Sequence, residues 1–402
     1  TLKIIKSEFP NLKIKSIPSK TKVFDWNIPA EWNVEDAYVE DKFGQKIIDF
    51  KKNNLHLMGY SIPINKILNK KKLIDHIYYL KKQPNAIPYT TSYYQKRWGF
   101  NISYNQKKKL DNNYKNNDKF NVVIKSKFNP YGKLNYGELI IKGESKKEIL
   151  ISTYVCHPSM ANDQLSGPIV SMCLMNYFQS LKKVKKTLRF IFIPETIGSI
   201  AYLSKNLNHL KNYLIGGYVL ACVGDNKNHS FVLSKYENSP TDEAIKDAYK
   251  KLNIKNYKMF SFLERGSDER QYNSPGIDFS IPLICRSKPT LYKEYHTSLD
   301  DFNLVTKKGI TGGFEVAKTA INILSNKIIP KNLVLCEPQM GKRGLYNTLS
   351  IKRDFLLSRT YMNFLQFADG KNSLEEISRQ IKIDIKTTKK IFYKLKKYNL
   401  IR

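Results

Sequence analysis

Apolar and polar positions along the 402-residue chain change period several times, and each change predicts an element or a boundary. Leu2, Ile5 and Phe9 share one helical face, and residues 13–17 then alternate as a strand does. From residue 37 to about 143 the texture becomes short aromatic-rich runs (45–50, 55–60, 122–126, 136–142) between turn residues, interrupted by one apolar stretch, 64–80, with helical spacing. This predicts a mostly β insert. Runs at 147–153, 188–193 and 217–223 follow, with helical stretches 168–181 and 199–210 between them. Strands alternating with helices predict a mixed, largely parallel α/β sheet flanked by helices, which places ligands beyond the carboxyl ends of its strands. A last helix of this unit is expected at 309–325 and a linker at 336–341, and three further helices are expected at 354–367, 373–381 and 385–398. Ser373 and Glu376 form the capping box of the second. The expected domains are an α/β unit (1–36 with 144–340), the β-rich insert (37–143) and a winged helix-turn-helix (341–402).

Composition narrows the class. Hydrophobic residues at 41% and aromatics at 12% exclude a disordered chain. The absence of an uncharged apolar run of about 18 residues predicts no membrane-spanning helix. Residues 1–6 lack the apolar core of a signal peptide, and the five cysteines are odd in number and widely spaced, so the expectation is a reduced, cytoplasmic protein without a disulfide framework. Lys plus Arg at 68 against Asp plus Glu at 35 leaves +33. Because lysine is spread along the whole chain beside abundant Asn, Ile and Tyr, as AT-rich coding produces, the total does not by itself predict a polyanionic partner. Residues 371–402 carry ten Lys plus Arg and three acidic residues, but lysines grip phosphate without reading base edges. Sequence-specific nucleic-acid binding is therefore not expected; the C-terminal unit is expected to dock another subunit or the α/β domain, and the protein to form a homo-oligomer.

Candidate chemistry sits just past the apolar runs. His157 and Asp163 lie six residues apart on a loop after the 147–153 strand, where imidazole and carboxylate can converge on one cation. Taken alone, Asp163 also suits capping of the helix that begins near Ser166. Glu195 follows the next strand and Asp225 the one after, with helix-dipole compensation and turn formation as their structural alternatives. The segments Arg265–Gln271 and Glu294–Asp301 add Asp268, Glu269, Arg270 and His296. Acid or imidazole groups recurring at successive strand ends of one α/β unit predict a metal site. In the insert, Tyr94 and Arg97, beside Tyr93 and Trp98, suit stacking on a sugar ring or gripping an acidic group, or else filling the insert's own core.

His157 and Asp163 before Ser166-Gly167, Glu195 before Gly198-Ser199, and Tyr295-His296-Thr297 with Asp300 resemble the co-catalytic zinc aminopeptidases. Phe24-Asp25-Trp26, Cys156-His157-Pro158-Ser159, Asn162-Asp163, Gly266 to Gln271 and Glu294 to Ser298 are similar to one subfamily, the aminopeptidase-like proteins whose genes often neighbour those of surface-polysaccharide biosynthesis. That subfamily carries an inserted β domain and a C-terminal winged helix. The resemblance covers essentially the whole chain and implies Asp163 as the carboxylate bridging two zinc ions, His157 and His296 as ligands of one each, and Asp225 as a displaced remaining ligand. It leaves Glu195 as either general base or ligand, since Thr196 stands where the peptidases have a second glutamate, and Ser159 stands where they have a supporting carboxylate. One or two zinc ions per chain are implied. The implied activity is zinc-dependent amide hydrolysis of a peptide-like or aminoacyl-sugar substrate contacted by Asp268, Arg270, Tyr94 and Arg97. The alternative is a ligand-sensing protein that has lost catalysis and acts through its winged helix.

Overall fold

The computed structural model describes residues 1–346 and 352–402. Among the described residues the largest sheet has eight strands: β1 (Lys13–Pro18), β2 (Lys133–Ile141), β3 (Ser145–Tyr154), β4 (Lys186–Ile193), β5 (Leu214–Leu220), β6 (Ser230–Val232), β7 (Lys258–Phe260) and β8 (Leu283–Cys285). Their spatial order is β1-β2-β4-β3-β5-β8-β6-β7. The central four, β4-β3-β5-β8, run parallel, so their carboxyl ends open on one rim. β1 and β2 extend one edge antiparallel, and β6 joins β8 antiparallel at the other. Both faces of the sheet are covered, which is why its strands read as unbroken apolar runs rather than alternating ones.

Helices Ser166–Ser180, Pro240–Lys251 and Lys307–Asn326 cover one face through Val170, Leu174, Phe178, Ile245, Ala320 and Leu324. Helix Ile197–Tyr213 covers the other through Ile200, Ala201 and Leu210. The first of these helices can touch the sheet only because residue 167 is glycine: a Cβ there would stand 2.2 Å from Thr153 Oγ1 and 2.5 Å from the Leu220 carbonyl oxygen. This close approach draws the start of helix Ser166–Ser180, and Asp163 just before it, down onto the strand ends.

The insert is built on a four-stranded antiparallel sheet, in which Glu31–Glu40 and Ile64–Asn69 flank the long strand Lys119–Asn129 and Lys46–Asp49 lies at the edge. Its core holds Val39, Leu73, Phe100, Phe120 and Val122. Three expectations fail here, the first being the start at residue 37, because strand Glu31–Glu40 pairs with Lys119–Asn129 from Glu31 onward. The stretch 64–80 is not one helix: Ile64–Asn69 is a strand, and the Asn69 side chain accepts from Lys72 N and starts the helix only at Lys70–Ile74. The run 136–142 belongs to β2 of the main sheet, so the insert returns to the α/β unit before residue 133 rather than at 143. Which strand a run pairs with is a long-range choice that periodicity does not carry.

In the C-terminal unit, Lys352–Phe367, Leu374–Gln380 and Ile385–Lys397 are helical, and Ser373 and Glu376 make the reciprocal capping-box bonds. The unit begins earlier than residue 341. Lys331 pairs with Asp369, Asn332 pairs with Ile401, and Ile328, Val334 and Met340 pack into the same core as Phe364, Ile377 and Leu395. On the last helix Thr388, Ile391, Phe392 and Leu395 are buried, whereas Ile385 is exposed beside Lys386, Lys389, Lys390 and Lys394. No helix among the described residues is long and apolar enough to cross a membrane.

Candidate metal centre

Three of the expected ligands meet. His157, Asp163 and His296 offer ligand atoms that all lie within 4.8 Å of one another, at the rim where the parallel strands end. Each is aimed by its own local structure. After β3 the chain turns through Cys156, and the Gln164 side-chain oxygen accepts from the Cys156 and His157 amides at 2.9 and 2.7 Å, which fixes the entry of His157. Asp163 lies in a π-helical turn, Ala161–Leu165, ahead of helix Ser166–Ser180, a distortion common at functional sites. Asp300 holds that turn: its carboxylate accepts from Asn162 N at 2.6 Å, Asp163 N at 2.9 Å and Tyr292 Oη at 3.1 Å.

His296 sits in the left-handed region at φ 54° on a loop clamped by the insert. Tyr89 N donates to the His296 carbonyl at 2.8 Å, and Ser298 N to the Ile87 carbonyl at 2.8 Å. The Tyr89 ring stands edge-on to both His157 and His296, and Tyr295 stacks on His296 at 3.9 Å. The insert is thus part of the site's wall.

The atoms facing the centre of this cluster are short of partners. Asp163 Oδ2 and His296 Nε2 are buried and have no well-aligned hydrogen bond, although they lie 2.9 Å apart. Asp163 Oδ1 instead accepts from Tyr154 Oη at 2.5 Å and Cys222 Sγ at 3.3 Å. Burial works to raise the Asp163 pKa, but His296, His157 and the Tyr154 hydroxyl outweigh it and hold the carboxyl below its ordinary value. Burial lowers the His157 pKa, favouring the neutral imidazole that binds metal. Two partly buried imidazoles and a buried carboxylate, with Asp163 Oδ2 and His296 Nε2 short of partners, fit a zinc ion with room for a further ligand.

Glu195 stands beside this cluster. Its Oε2 is 3.8 Å from His157 Nε2, and its Oε1 accepts from Ser267 Oγ at 2.8 Å. Burial pushes its pKa up to about 7, with the Ser267 hydroxyl opposing. The next residue, Thr196, is strained at φ 64°, ψ −75°, closing a three-residue turn in which Ile197 N donates to the Glu195 carbonyl at 2.8 Å.

Asp268 and Arg270, read from the sequence as substrate contacts, buttress that turn. Asp268 is fully buried and accepts from Thr196 N at 2.8 Å and Ser199 Oγ at 2.7 Å, while Arg270 Nη2 donates to Thr196 Oγ1. Burial, and then the nearby Glu195 charge, push Asp268 up to about 7.

Asp225 is not brought to the cluster. Its carboxylate is used up by Asn162 Nδ2, Lys227 N and the Ser287 amide and hydroxyl, all within 3.1 Å, so it organises loops. Tyr94 packs edge-on against Trp26 and Tyr60, and the exposed Arg97 donates to the Thr91 carbonyl; neither touches the three ligands.

The residues missed by sequence reasoning are Tyr89, Gln164, Ser267 and the pair Tyr154 and Cys222. Gln164 and Cys222 lie inside recognisable segments, but nothing in the sequence separates Tyr89 from the other tyrosines of residues 89–94. Asp300 leads to a prediction: Asp300→Ala leaves two amides and a hydroxyl without their acceptor and loosens Asp163. Zinc affinity measured by competition with a chelating dye should fall about 10- to 100-fold while His157 and His296 remain in place. Unchanged affinity would show that the turn holds itself.

Comparison with known proteins identifies the family and the fold. Residues 1–327 match the family described as "Domain of unknown function (DUF4910)", and residues 328–402 match a winged helix-turn-helix family. The chain is 39% identical over 380 residues to a Clostridium acetobutylicum protein named as a candidate polysaccharide biosynthesis protein with an aminopeptidase-like domain; the match covers 94% of this chain and 85% of that one. A crystal structure from Clostridium acetobutylicum, described as a candidate peptidase, superposes with a TM-score of 0.77 at 37% identity over 100% of this chain and 90% of that one. The zinc aminopeptidase BSAP of Bacillus subtilis shares the fold at 15% identity, with a TM-score of 0.57 over 80% of this chain and 87% of that one. With a zinc-aminopeptidase-like α/β unit and a C-terminal winged helix, the chain belongs to the DUF4910 family of aminopeptidase-like proteins.

Proposed function

We propose that this protein is a zinc-dependent amide hydrolase of the aminopeptidase-like kind, acting on an aminoacyl or N-acyl group carried by a sugar. The observation that carries the reading is the convergence of His157, Asp163 and His296, with Asp163 Oδ2 and His296 Nε2 buried 2.9 Å apart without a well-aligned hydrogen bond, beside a carboxylate that is not part of the cluster. A bound zinc would supply Lewis acidity and lower the pKa of a water molecule. Glu195, held by Ser267 and raised by burial, accepts a proton from the attacking water and passes it to the leaving amine. The strained Thr196 turn, braced by Asp268 and Arg270, keeps the Glu195 carboxylate at this position.

The occupied Oδ1 of Asp163 and the fully engaged Asp225 favour one zinc per chain over two. Support for a sugar-borne substrate is of two kinds. The Clostridium acetobutylicum relative is named for polysaccharide biosynthesis, and the insert places Tyr89 against the two histidines and leaves Tyr93 exposed nearby in sequence. Hydrolysis of N-acylated and aminoacylated sugar derivatives should exceed that of simple amino-acid anilides, followed as amine release by the zinc-loaded chain. Robust turnover of leucine anilide, with none of the sugar derivatives, would instead mark an ordinary aminopeptidase.

A further inference from the structure

A second buried polar cluster lies behind the metal centre, on residues to which nothing above gives a function. Arg286 follows β8 and is only 4% exposed, yet among the described residues no carboxylate lies within ion-pair distance of its guanidinium. Its Nε donates to the Asp225 carbonyl at 2.9 Å, its Nη1 faces the His229 ring, with Nδ1 at 2.9 Å, and its Nη2 donates to Asn226 Oδ1 at 3.0 Å. These partners are neutral and leave N–H capacity to spare on a group with five donors. Burial, followed by the Arg286 charge, drives the His229 pKa down to about 4, so this imidazole is uncharged at neutral pH and supplies no counter-charge.

The nearest negative charge, the Asp225 carboxylate, attracts Arg286 from beyond ion-pair distance while it is bonded to Asn162, Lys227 and Ser287, so an anion entering beside the guanidinium would be its first direct ion pair. Arg286 lines a cavity of about 540 Å³ with room for such a group. Across the cavity is the first turn of the 20-residue helix Lys307–Asn326, where Thr306 Oγ1 already caps the Gly309 amide but the helix dipole still favours negative charge, and where Lys307 and Lys308 are exposed at the mouth. Residue 312 is glycine, and a Cβ at that position would stand 2.4 Å from Arg286 Nη1. Its absence leaves the guanidinium open to the cavity.

We propose that this cavity is a binding site for a phosphate group, gripped by Arg286 from below and by Lys307 and Lys308 at the helix start from the side. The inference does not rest on the hydrolase reading. The site lies one link from the metal centre, because the Asp225 that accepts from Arg286 also accepts, through its carboxylate, from Asn162 next to Asp163.

Calorimetric titration of the zinc-loaded full chain with inorganic phosphate, and separately with a sugar 1-phosphate, at matched ionic strength tests the proposal. Saturable binding is expected with a Kd of about a millimolar or tighter, and a lower Kd for the sugar phosphate would identify the ester as the ligand rather than free phosphate. Lys307→Ala with Lys308→Ala, two exposed changes that leave the fold intact, should weaken binding at least about tenfold, as should Arg286→Met. Lys182→Ala with Lys183→Ala, in a separate lysine-lined cleft, should leave it unchanged. Binding that survives in the Lys307/Lys308 variant, that falls equally in the Lys182/Lys183 variant, or that vanishes only in His296→Ala would overturn the proposal, the last by placing phosphate at the metal centre.

Discussion

Glu195→Gln should lower turnover about 10²- to 10⁴-fold and leave zinc affinity within a few-fold of the parent. The amide is nearly isosteric with the carboxylate and can still accept from Ser267 Oγ, so the Thr196 turn and the position of the side chain are kept. It cannot take a proton, which isolates that one function. The three groups that converge as ligands do not include Glu195, whose nearer oxygen lies 3.8 Å from His157 Nε2. The comparison is made with calorimetric zinc titration and with amine release from the substrate found in the sugar screen. Loss of zinc binding together with turnover would make Glu195 a ligand and end its role as base.

The second large effect lies on the stability of the sheet. Arg189 on β4 is buried between two glutamates: it makes a bidentate pair with Glu148 on β3 at 2.7 and 2.9 Å and a further bond to Glu138 on β2 at 2.6 Å. Tyr202 and His209 complete the network, and Lys15 pairs with Glu138 from the edge strand. Arg189→Met fills the volume but leaves two carboxylates buried with much less compensation, at a cost of about 3–5 kcal/mol.

Its pH dependence has a definite sign. Burial alone would raise Glu138 and Glu148. In the parent the bonds from Lys15 and Tyr202 to Glu138, and from Arg189 and His209 to Glu148, outweigh burial and hold both below their ordinary values. Their contribution to stability is therefore present above the unfolded carboxyl range and is lost as pH falls through the lowered folded values. In the variant Glu148 loses the largest bond opposing burial and protonates more readily, while Glu138 keeps Lys15 and Tyr202 and loses only the smaller Arg189 attraction. The stability gap measured by urea unfolding should be widest near neutral pH and should shrink in acid. A gap that widened in acid would contradict this reading of the network.

The site was more legible in the sequence than its surroundings. The convergence of His157, Asp163 and His296 was legible because these residue types follow strand ends, and strand ends are marked by apolar runs stopping at polar residues. Asp225 had the right type in the right kind of place, but its fate was decided by Asn162 and Ser287, partners 63 and 62 residues away. Asp268 and Arg270 were visible as a polar loop, whereas their bracing of Thr196 depends on the strained turn at that residue. In the fold, covered parallel strands and amphipathic helices have a local signature; strand Ile64–Asn69 and the return of β2 to the main sheet do not, because both are fixed by pairing with distant chain.

The most direct test of the metal centre is calorimetric titration of zinc into the full chain after chelator treatment and dialysis. Saturable binding close to one zinc per chain is expected, with loss of that binding in His157→Ala, Asp163→Ala and His296→Ala while circular dichroism stays native. Absence of saturable binding in the parent, or parental binding in a variant lacking all three side chains, would contradict the account.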